Sequence, residues 1–274
     1  MIQQKSSNIS KNIHHRLSVQ VSLTGLSFLV KGLDTEETLF FTNKQVGSRS
    51  TPEELLLEID SIIAKNEMLQ LKFDEVILLY SNNVYTPVPA SLFDETKASE
   101  YLKFNSKILS NDFIAYDRVE SNNMVVVYIP YVNINNYFFE RFGAFQYFHA
   151  ASIFLKDVLP LAKHGTGPKM HLNVQEEQLD IIILEEGKLL LCNSFLFKTS
   201  EDFIYYILFC LEQLKLNPDS IPLILSGSID KEDSNYELLY TYVRNISFVE
   251  DTSGSTAKST TEVYHNNYLL KNSY

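Results

Sequence analysis

A short glycine turn near the start of the sequence has the residue types of a phosphate-binding hairpin. Apolar and polar residues alternate over residues 17–23, and a second apolar run follows Gly25. This pattern predicts two β-strands folded over a Thr24-Gly25 turn. A glycine lets the backbone approach a phosphate closely. If this turn binds a phosphate, the protein could be an enzyme. If it does not, the protein keeps only the architecture of one.

A second glycine follows a predicted buried strand in LILSGS, residues 223–228. Ser226 and Gly227 have the types needed for a turn that touches a ligand, but an ordinary strand-to-helix turn has the same composition. Both interpretations stay open on the sequence alone. The stretch HGTGPK, residues 164–169, does not match a phosphate loop, because Pro168 precedes the lysine and Met170 follows it. It is interpreted as a linker.

The remaining reactive residue types form no recognisable catalytic or metal motif. Six histidines are scattered, and His149 lies in an aromatic strand where a packed imidazole is expected. Cys192 and Cys210 are predicted to lie in a strand and a helix as small apolar residues. HExxH, GxSxG and paired cysteines are all missing from the sequence. We therefore expect no catalytic residue, no metal and no cofactor.

Composition limits the class of partner and the location. The 274 residues carry 23 Lys and Arg against 34 Asp and Glu, a formal net charge of −11. Binding to nucleic acid needs clustered positive charge, so it is not expected.

The N-terminal MIQQKSSNISKNIHH contains no apolar segment, which predicts no secretory signal and a cytoplasmic location. The densest apolar run, FIYYILFCL at 203–211, is shorter than the roughly 20 residues of a membrane span, so it predicts a helix buried on most faces.

Two parts of the chain repeat the same order of three strands, a capped helix, a strand and a helix. Thr51 and Thr199 each precede a helix with acidic residues in its first turn, as TPEE and TSED. In each part a buried strand begins 22 residues after the threonine, at Phe73 (73 − 51) and Ile221 (221 − 199). The pattern predicts two copies of one α/β unit, at 17–111 and 169–251. A polar arm at 1–16, an inserted strand-helix region at 112–168 and a polar tail at 252–274 complete the predicted division.

The inserted region is unusually rich in aromatic residues. Tyr137, Phe138 and Phe139 are consecutive on a predicted helix, so at least one of them should point outward. Together with Tyr131 they are candidates for a protein-binding surface. Packing in the core is the other explanation for the same residues.

The two tandem units resemble the duplicated ribonuclease-H-like lobes of the actin-like ATPase superfamily. More specifically, YLKFNSKILSNDFIAYD, YIPYVNINNYFFERFG and NSFLFKTSEDFIYYILFCLEQL are similar to an uncharacterised family of Bacteroidetes proteins, domain of unknown function 3822. This second resemblance extends over residues 17–249. It implies an α/β fold with two ribonuclease-H-like lobes in an actin-like architecture, and it implies no known activity.

Catalytic members of the superfamily begin each lobe with a phosphate hairpin that carries Asp-x-Gly. Here Gly25 matches the glycine, but Leu23 stands in the place of the aspartate. The second hairpin, within NVQEEQLDI, has no glycine and carries Glu176 and Glu177. The resemblance therefore implies a vestigial nucleotide cleft at Thr24, Gly25, Ser226 and Gly227. We expect acidic side chains in that cleft and no lysine directed at a phosphate.

Three functions are compatible with the sequence. The first is a non-hydrolysing actin-like protein that acts by binding an unidentified protein, as a scaffold or binding module. The second is an actin-like ATP-binding protein or ATPase with an altered phosphate site. The third is a metal nuclease, which ribonuclease-H-like folds can support with carboxylates on the first strand. The first strands here, 17–23 and 170–175, contain no acidic residue, which disfavours the nuclease.

Overall fold

The computed structural model of the chain describes residues 14–47, 50–103, 108–109, 112–120, 123–163, 165–250, 265 and 267–273. Most of the predicted polar arm, His164 of the predicted linker and residues 252–264 of the predicted tail lie outside the described residues.

The described chain alternates between strands and helices. The strands are β1 His15–Val21, β2 Gly25–Gly32, β3 Thr38–Gln45, β4 Glu75–Tyr80, β5 Tyr85–Pro89, β6 Ala115–Val119, β7 Met124–Tyr128, β8 Gln146–His149, β9 Pro168–Val174, β10 Gln178–Glu185, β11 Lys188–Leu196, β12 Pro222–Gly227 and β13 Asn245–Phe248. The α-helices are α1 Pro52–Lys65, α2 Ala98–Leu102, α3 Val132–Phe142, α4 Ala150–Ala162, α5 Ser200–Gln213, α6 Ser234–Tyr242 and α7 Tyr268–Lys271.

Two five-stranded sheets have the same topology. The first has the order β3-β2-β1-β4-β8, and the second has the order β11-β10-β9-β12-β13. In each sheet the central strand, β1 or β9, is antiparallel to the strand that follows it and parallel to the strand after the capped helix. The predicted duplication is confirmed, and β1 and β9 are equivalent strands.

The two capped helices form as the sequence predicts. The Thr51 hydroxyl accepts a hydrogen bond from the Glu54 N–H, and the Glu54 carboxylate accepts one from the Thr51 N–H. Thr199 and Asp202 form the same reciprocal pair at the start of α5. Such a capping box satisfies N–H groups that the first helical turn leaves without a partner. Each helix then packs one apolar face against the sheet beside it.

The predicted inserted region divides between two sheets. β6 and β7 pair as an antiparallel hairpin and join β5 in a three-stranded sheet. β8, by contrast, pairs in parallel with β4 at the edge of the first sheet. A parallel neighbour requires a long crossover connection, and the segment between β4 and β8 supplies it. The strand-helix pair β8–α4 therefore completes the first lobe rather than only linking the two lobes.

The expectation that α5 is buried on most faces is wrong. Phe203, Ile207 and Leu211 are buried against the second sheet, whereas Tyr205 is 58% exposed and Phe209 is 40% exposed. The helix is apolar nearly all round, but the sheet covers only one of its faces. Within the described residues, no helix is long and apolar enough to span a bilayer.

The end of the chain returns to the first lobe. Within the predicted polar tail, residues 268–271 form the short helix α7, in which Tyr268, Leu269 and Leu270 are buried. Leu270 packs with Leu29 and other apolar side chains on one face of the first sheet. The Ser273 hydroxyl is within hydrogen-bonding distance of the Ser18 hydroxyl, at 3.0 Å. These contacts fix the C-terminal segment beside the groove between the lobes.

Candidate functional site: the cleft between the lobes

The first hairpin turn satisfies its own backbone donors. β1 ends at Val21 and β2 begins at Gly25, so Leu23 and Thr24 are the central turn residues, one position earlier than predicted. The Ser22 N–H donates to the Gly25 carbonyl at 2.9 Å. The Ser22 hydroxyl oxygen accepts hydrogen bonds from the N–H groups of Gly25 at 2.9 Å and Thr24 at 3.3 Å. The two amides that a phosphate would need are therefore already bonded within the turn.

The second hairpin lies at the equivalent place in the other lobe. The Gln175 N–H donates to the Gln178 carbonyl at 2.8 Å, and Glu176 and Glu177 form the tip. The Gln175 side-chain amide donates to the Ser81 hydroxyl at the end of β4, at 2.6 Å. This hairpin therefore contacts the first lobe directly.

Gly227 has a structural reason to be glycine. Its φ is +91°, and a Cβ added there would lie 2.0 Å from the Val174 carbonyl oxygen. The neighbouring Ser226 hydroxyl is buried and donates to the Leu172 carbonyl at 3.0 Å. The close approach at Gly227 is therefore between the ends of β12 and β9. Gly25 differs, because its added Cβ would lie 3.7 Å from the Lys44 carbonyl oxygen, an ordinary contact.

These segments meet around a small polar cavity of about 70 Å³ between the lobes. Of the four predicted cleft residues, Thr24, Gly25 and Gly227 line it and Ser226 does not. Lys44 also lines it, with its ammonium group paired to the Glu58 carboxylate, and the expectation that no lysine is directed at a phosphate stays a prediction. The full lining is Gln20, Ser22, Thr24, Gly25, Leu26, Ser27, Asn43, Lys44, Gln45, Asn173, Val174, Gln175, Glu176, Gly227, Ser228, Asn267 and Leu269.

A buried carboxylate on β10 lies on the second lobe's side of the contact between the lobes. Asp180 accepts hydrogen bonds from the Gln178 side-chain amide at 2.8 Å and from the Asn173 amide at 3.1 Å. The Ser194 hydroxyl also donates to it. Desolvation on burial raises the pKa of Asp180 above its ordinary value. Gln178 reaches Ser81 at 3.3 Å as well, so the network joins the two lobes.

A second buried carboxylate lies in the first lobe. Asp117 on β6 accepts hydrogen bonds from the His149 N–H at 2.7 Å, the Ser152 hydroxyl at 2.6 Å and the Tyr128 hydroxyl at 3.0 Å. Desolvation is the largest effect on this group and raises the pKa of Asp117 to about 6. Burial also lowers the pKa of His149 to about 3, which keeps the imidazole neutral at physiological pH.

Tyr85 connects the two carboxylate clusters. Its ring contacts the His149 imidazole at a tilt of 34° with centroids 4.4 Å apart, and its hydroxyl lies 3.1 Å from the Ser194 hydroxyl oxygen. The prediction that His149 is a packed histidine is confirmed. Sequence reasoning missed Ser81, Asp117 and Asp180, since they come from distant strands and no local pattern marks them as partners.

The four aromatic residues proposed as a protein-binding surface do not share one surface. Phe138 is fully buried, and Tyr131 and Tyr137 are half-buried. The Tyr137 hydroxyl donates to the Asp60 carboxylate on α1 at 2.8 Å. Phe139 is 66% exposed, as required of at least one of the three consecutive aromatic residues. Of the four, Tyr137 joins α3 to α1.

The described residues hold no cluster of three or more His, Cys, Asp or Glu side chains that could bind a metal ion. Cys192 lies in β11 and Cys210 in α5, as predicted, and both are free thiols. Burial raises the pKa of Cys192 to about 12 and that of Cys210 to about 11, so neither is an activated nucleophile.

Two lobes with one sheet order, and a cleft between equivalent hairpins, define an actin-like ATPase fold. A solved structure from Bacteroides thetaiotaomicron VPI-5482, with an actin-like ATPase fold and unknown function, matches at a TM-score of 0.79 and 20% identity, covering 99% of this chain and 98% of that one. PilM-PilN, a type IV pilus biogenesis complex, matches at 0.58 and 14% identity, covering 93% and 96%. The ethanolamine utilization protein EutJ from Carboxydothermus hydrogenoformans matches at 0.50 and 7% identity, covering 95% and 90%.

The chain belongs to the family described as Protein of unknown function (DUF3822), whose model matches residues 4–246. A search of curated proteins finds no match. The suspected family is confirmed, and the likeness to the solved structures shows the actin-like fold.

Proposed function

We propose that this chain is a non-hydrolysing actin-like protein that acts by binding another protein. The observation that carries the proposal is the first hairpin. Its Thr24 and Gly25 amides, which would have to face a phosphate, donate instead to the Ser22 hydroxyl. Leu23 occupies the position of the aspartate, so the turn itself supplies no carboxylate there.

The size and charge of the cleft give independent support. A cavity of about 70 Å³ is several times smaller than the roughly 300–1,000 Å³ of small-molecule pockets. Asn267 and Leu269 from the C-terminal segment form part of its wall. Glu176 lines it from the second hairpin and would repel a triphosphate. The residues present therefore do not fit a magnesium nucleotide.

An actin-like ATP-binding protein or ATPase with an altered phosphate site is the second candidate. Lys44 favours it, since this residue lines the cavity and its ammonium group would suit a phosphate if released from Glu58. Against it, the cavity would have to enlarge and the Ser22 hydrogen bonds would have to break before a phosphate could enter.

Protein binding is the functional class that remains once nucleotide chemistry is set aside. The PilM-PilN complex shows that a protein of this fold can assemble with another protein, and we extend that property to this chain. A cytoplasmic location stays a prediction from the N-terminal composition.

Phosphate release from Mg-ATP tests the proposal. We expect no magnesium-dependent release above the enzyme-free background from the natural sequence. The variant Leu23→Asp restores Asp-x-Gly and provides a matched comparison. We expect it to be inactive too, because the turn amides stay bonded to Ser22 and the cavity stays small. Turnover by the natural sequence would contradict the proposal, and turnover by Leu23→Asp alone would show that the missing carboxylate is the only defect.

A further inference from the structure

We infer that the outer edge of the second sheet binds an extended peptide of a partner protein, which adds a strand beside β11. The inference deepens the proposed function and rests on it, since it names the place and the chemistry of the protein contact. Three independent features of the second lobe support it: an open strand edge, an adjacent aromatic surface, and a lysine at each end of the strand.

β11 is the terminal strand of its sheet within the described residues. One edge pairs with β10 over Lys188–Leu196, and the opposite edge has no strand partner in the described part of the chain. An edge strand presents a row of N–H and C=O groups that another chain can pair with. Strand addition of this kind gives affinity through the main chain and specificity through alternate side chains.

An aromatic ledge extends along the flank of α5 above this edge. It is defined by Phe195 of β11 and by Tyr205, Tyr206 and Phe209 of α5. The rings of Phe195 and Tyr206 stack with centroids 4.6 Å apart, Tyr205 meets Tyr206 at 5.5 Å, and Tyr205 stacks on Phe209 at 5.9 Å. Because Tyr206 already reaches the edge strand, the exposed rings of Tyr205 and Phe209 lie where the side chains of an added strand would contact them.

The first lobe folds with non-aromatic residues at the positions that correspond to the three ledge residues of α5, and Tyr205 corresponds to the exposed Leu57 (205 − 148). The caps Thr51 and Thr199 differ by 148 (199 − 51), so Tyr206 and Phe209 correspond to Glu58 and Ser61 on α1 (206 − 148, 209 − 148). In the first lobe, Glu58 pairs with Lys44 on the edge strand β3. Charge on an edge strand is a common protection against pairing with other chains. The second lobe replaces this protected edge with aromatic side chains.

A lysine at each end of β11 indicates the chemistry of the peptide that would bind there. Lys188 and Lys198 are both exposed, and neither forms an ion pair within the described residues. The nearest exposed carboxylates lie away from β11 itself, at Glu185 on β10 and Glu186 in the turn before Lys188, and at Glu201 and Asp202 on α5 after Lys198. A peptide with an acidic residue near each end would complement them. A second copy of this chain would pair its β11 antiparallel about a two-fold axis, which brings lysines of the two copies together. A partner peptide with acidic ends is therefore favoured over self-association.

A synthetic peptide tests the inference. The probe is a fluorescent ten-residue peptide of alternating valine and threonine with an aspartate at each end, and its affinity is measured by anisotropy. We expect binding to the full chain that weakens at least tenfold in Tyr205→Ser/Phe209→Ser. The matched control Tyr240→Ser/Tyr242→Ser, which changes two exposed tyrosines of α6, should stay within twofold of the natural sequence. All four substituted side chains are partly exposed, so these variants should fold.

Two further measurements define the mode of binding. Lys188→Glu/Lys198→Glu should weaken the peptide at least tenfold, whereas Lys231→Glu, at an exposed site elsewhere, should have no effect. Amide hydrogen exchange should show new protection in residues 188–196 when the peptide binds.

Several results would overturn the inference. They are no binding at millimolar peptide, equal binding by the ledge variant, protection of β3 instead of β11, and a dimer by light scattering that the ledge substitutions dissociate. Failure here with no ATP turnover would leave the proposed function intact but move its surface elsewhere. ATP turnover together with peptide binding would overturn the proposed function and keep the surface.

Discussion

At the scale of single residues, the cleft glycines differ in what they do. The sequence presents Gly25 and Gly227 as equivalent candidates for close approach to a ligand. The structure separates them, because only Gly227 has a positive φ and a backbone atom in the space of a Cβ. A positive φ arises from the path of the chain between β12 and the loop after it, and composition alone cannot reveal it.

The first prediction follows from this difference. Gly227→Ala should lower the free energy of unfolding by about 2–4 kcal/mol, combining the cost of a left-handed alanine with overpacking against Val174. Gly25→Ala should change it by less than about 1 kcal/mol, since its Cβ meets only ordinary contacts. Urea unfolding of both variants measures the difference. Equal stability of the two would show that the contact at Val174 relaxes easily.

The second prediction concerns Asp117 and pH. Burial raises the pKa of Asp117 to about 6, so between about pH 4 and pH 6 the folded state keeps a proton that the unfolded chain releases. This contribution to stability is complete below about pH 4 and is lost as the pH rises through 6, with a size on the order of 3 kcal/mol.

The comparison of Asp117→Asn with the natural sequence isolates this effect from other titrating groups. Relative to the natural sequence, the variant should gain stability as the pH rises from 4 to 6.5, because asparagine cannot ionise. Glu212→Gln, at an exposed position on α5, is the control and should show no such gain. A stability difference that is independent of pH would mean that Asp117 titrates normally in the folded protein.

At the scale of elements, the capped helices and the alternating strands were predictable because local residue patterns specify them. Thr51 and Thr199 were identified from the sequence, and both form capping boxes. The position of β8 was not predictable, because its pairing with β4 depends on a crossover through the three-stranded sheet. The two exposed aromatic rings of α5 were also missed, since an all-apolar helix does not show which of its faces the sheet covers.

The third prediction tests the two faces of α5. Phe203→Ala should cost about 3–5 kcal/mol, because Phe203 is fully buried against the second sheet. Phe209→Ser should cost much less, on the order of 1 kcal/mol, because its ring is 40% exposed. Thermal or urea unfolding measures both. A large loss in Phe209→Ser would mean that the aromatic ledge is part of the core and is not available to a partner.

At the scale of the whole molecule, the lobes are joined by groups buried between them. Ser81 receives the side-chain amides of Gln175 and Gln178, and Tyr85 reaches Ser194. The C-terminal segment adds Asn267 and Leu269 to the wall of the cavity. The sequence predicted the two lobes, the cleft and the missing aspartate. It did not predict these contacts between the lobes, because the residues that form them are about a hundred positions apart in the chain.

The central claim is that the cleft binds no nucleotide, and isothermal titration calorimetry with Mg-ATP at millimolar concentration tests it most directly. We expect no heat of binding beyond dilution, because the turn amides are bonded to Ser22 and Glu176 lines the cavity. A micromolar site that Ser22→Ala strengthens or Lys44→Ala abolishes would contradict it. Such a site would place the chain among the nucleotide-dependent proteins of this fold.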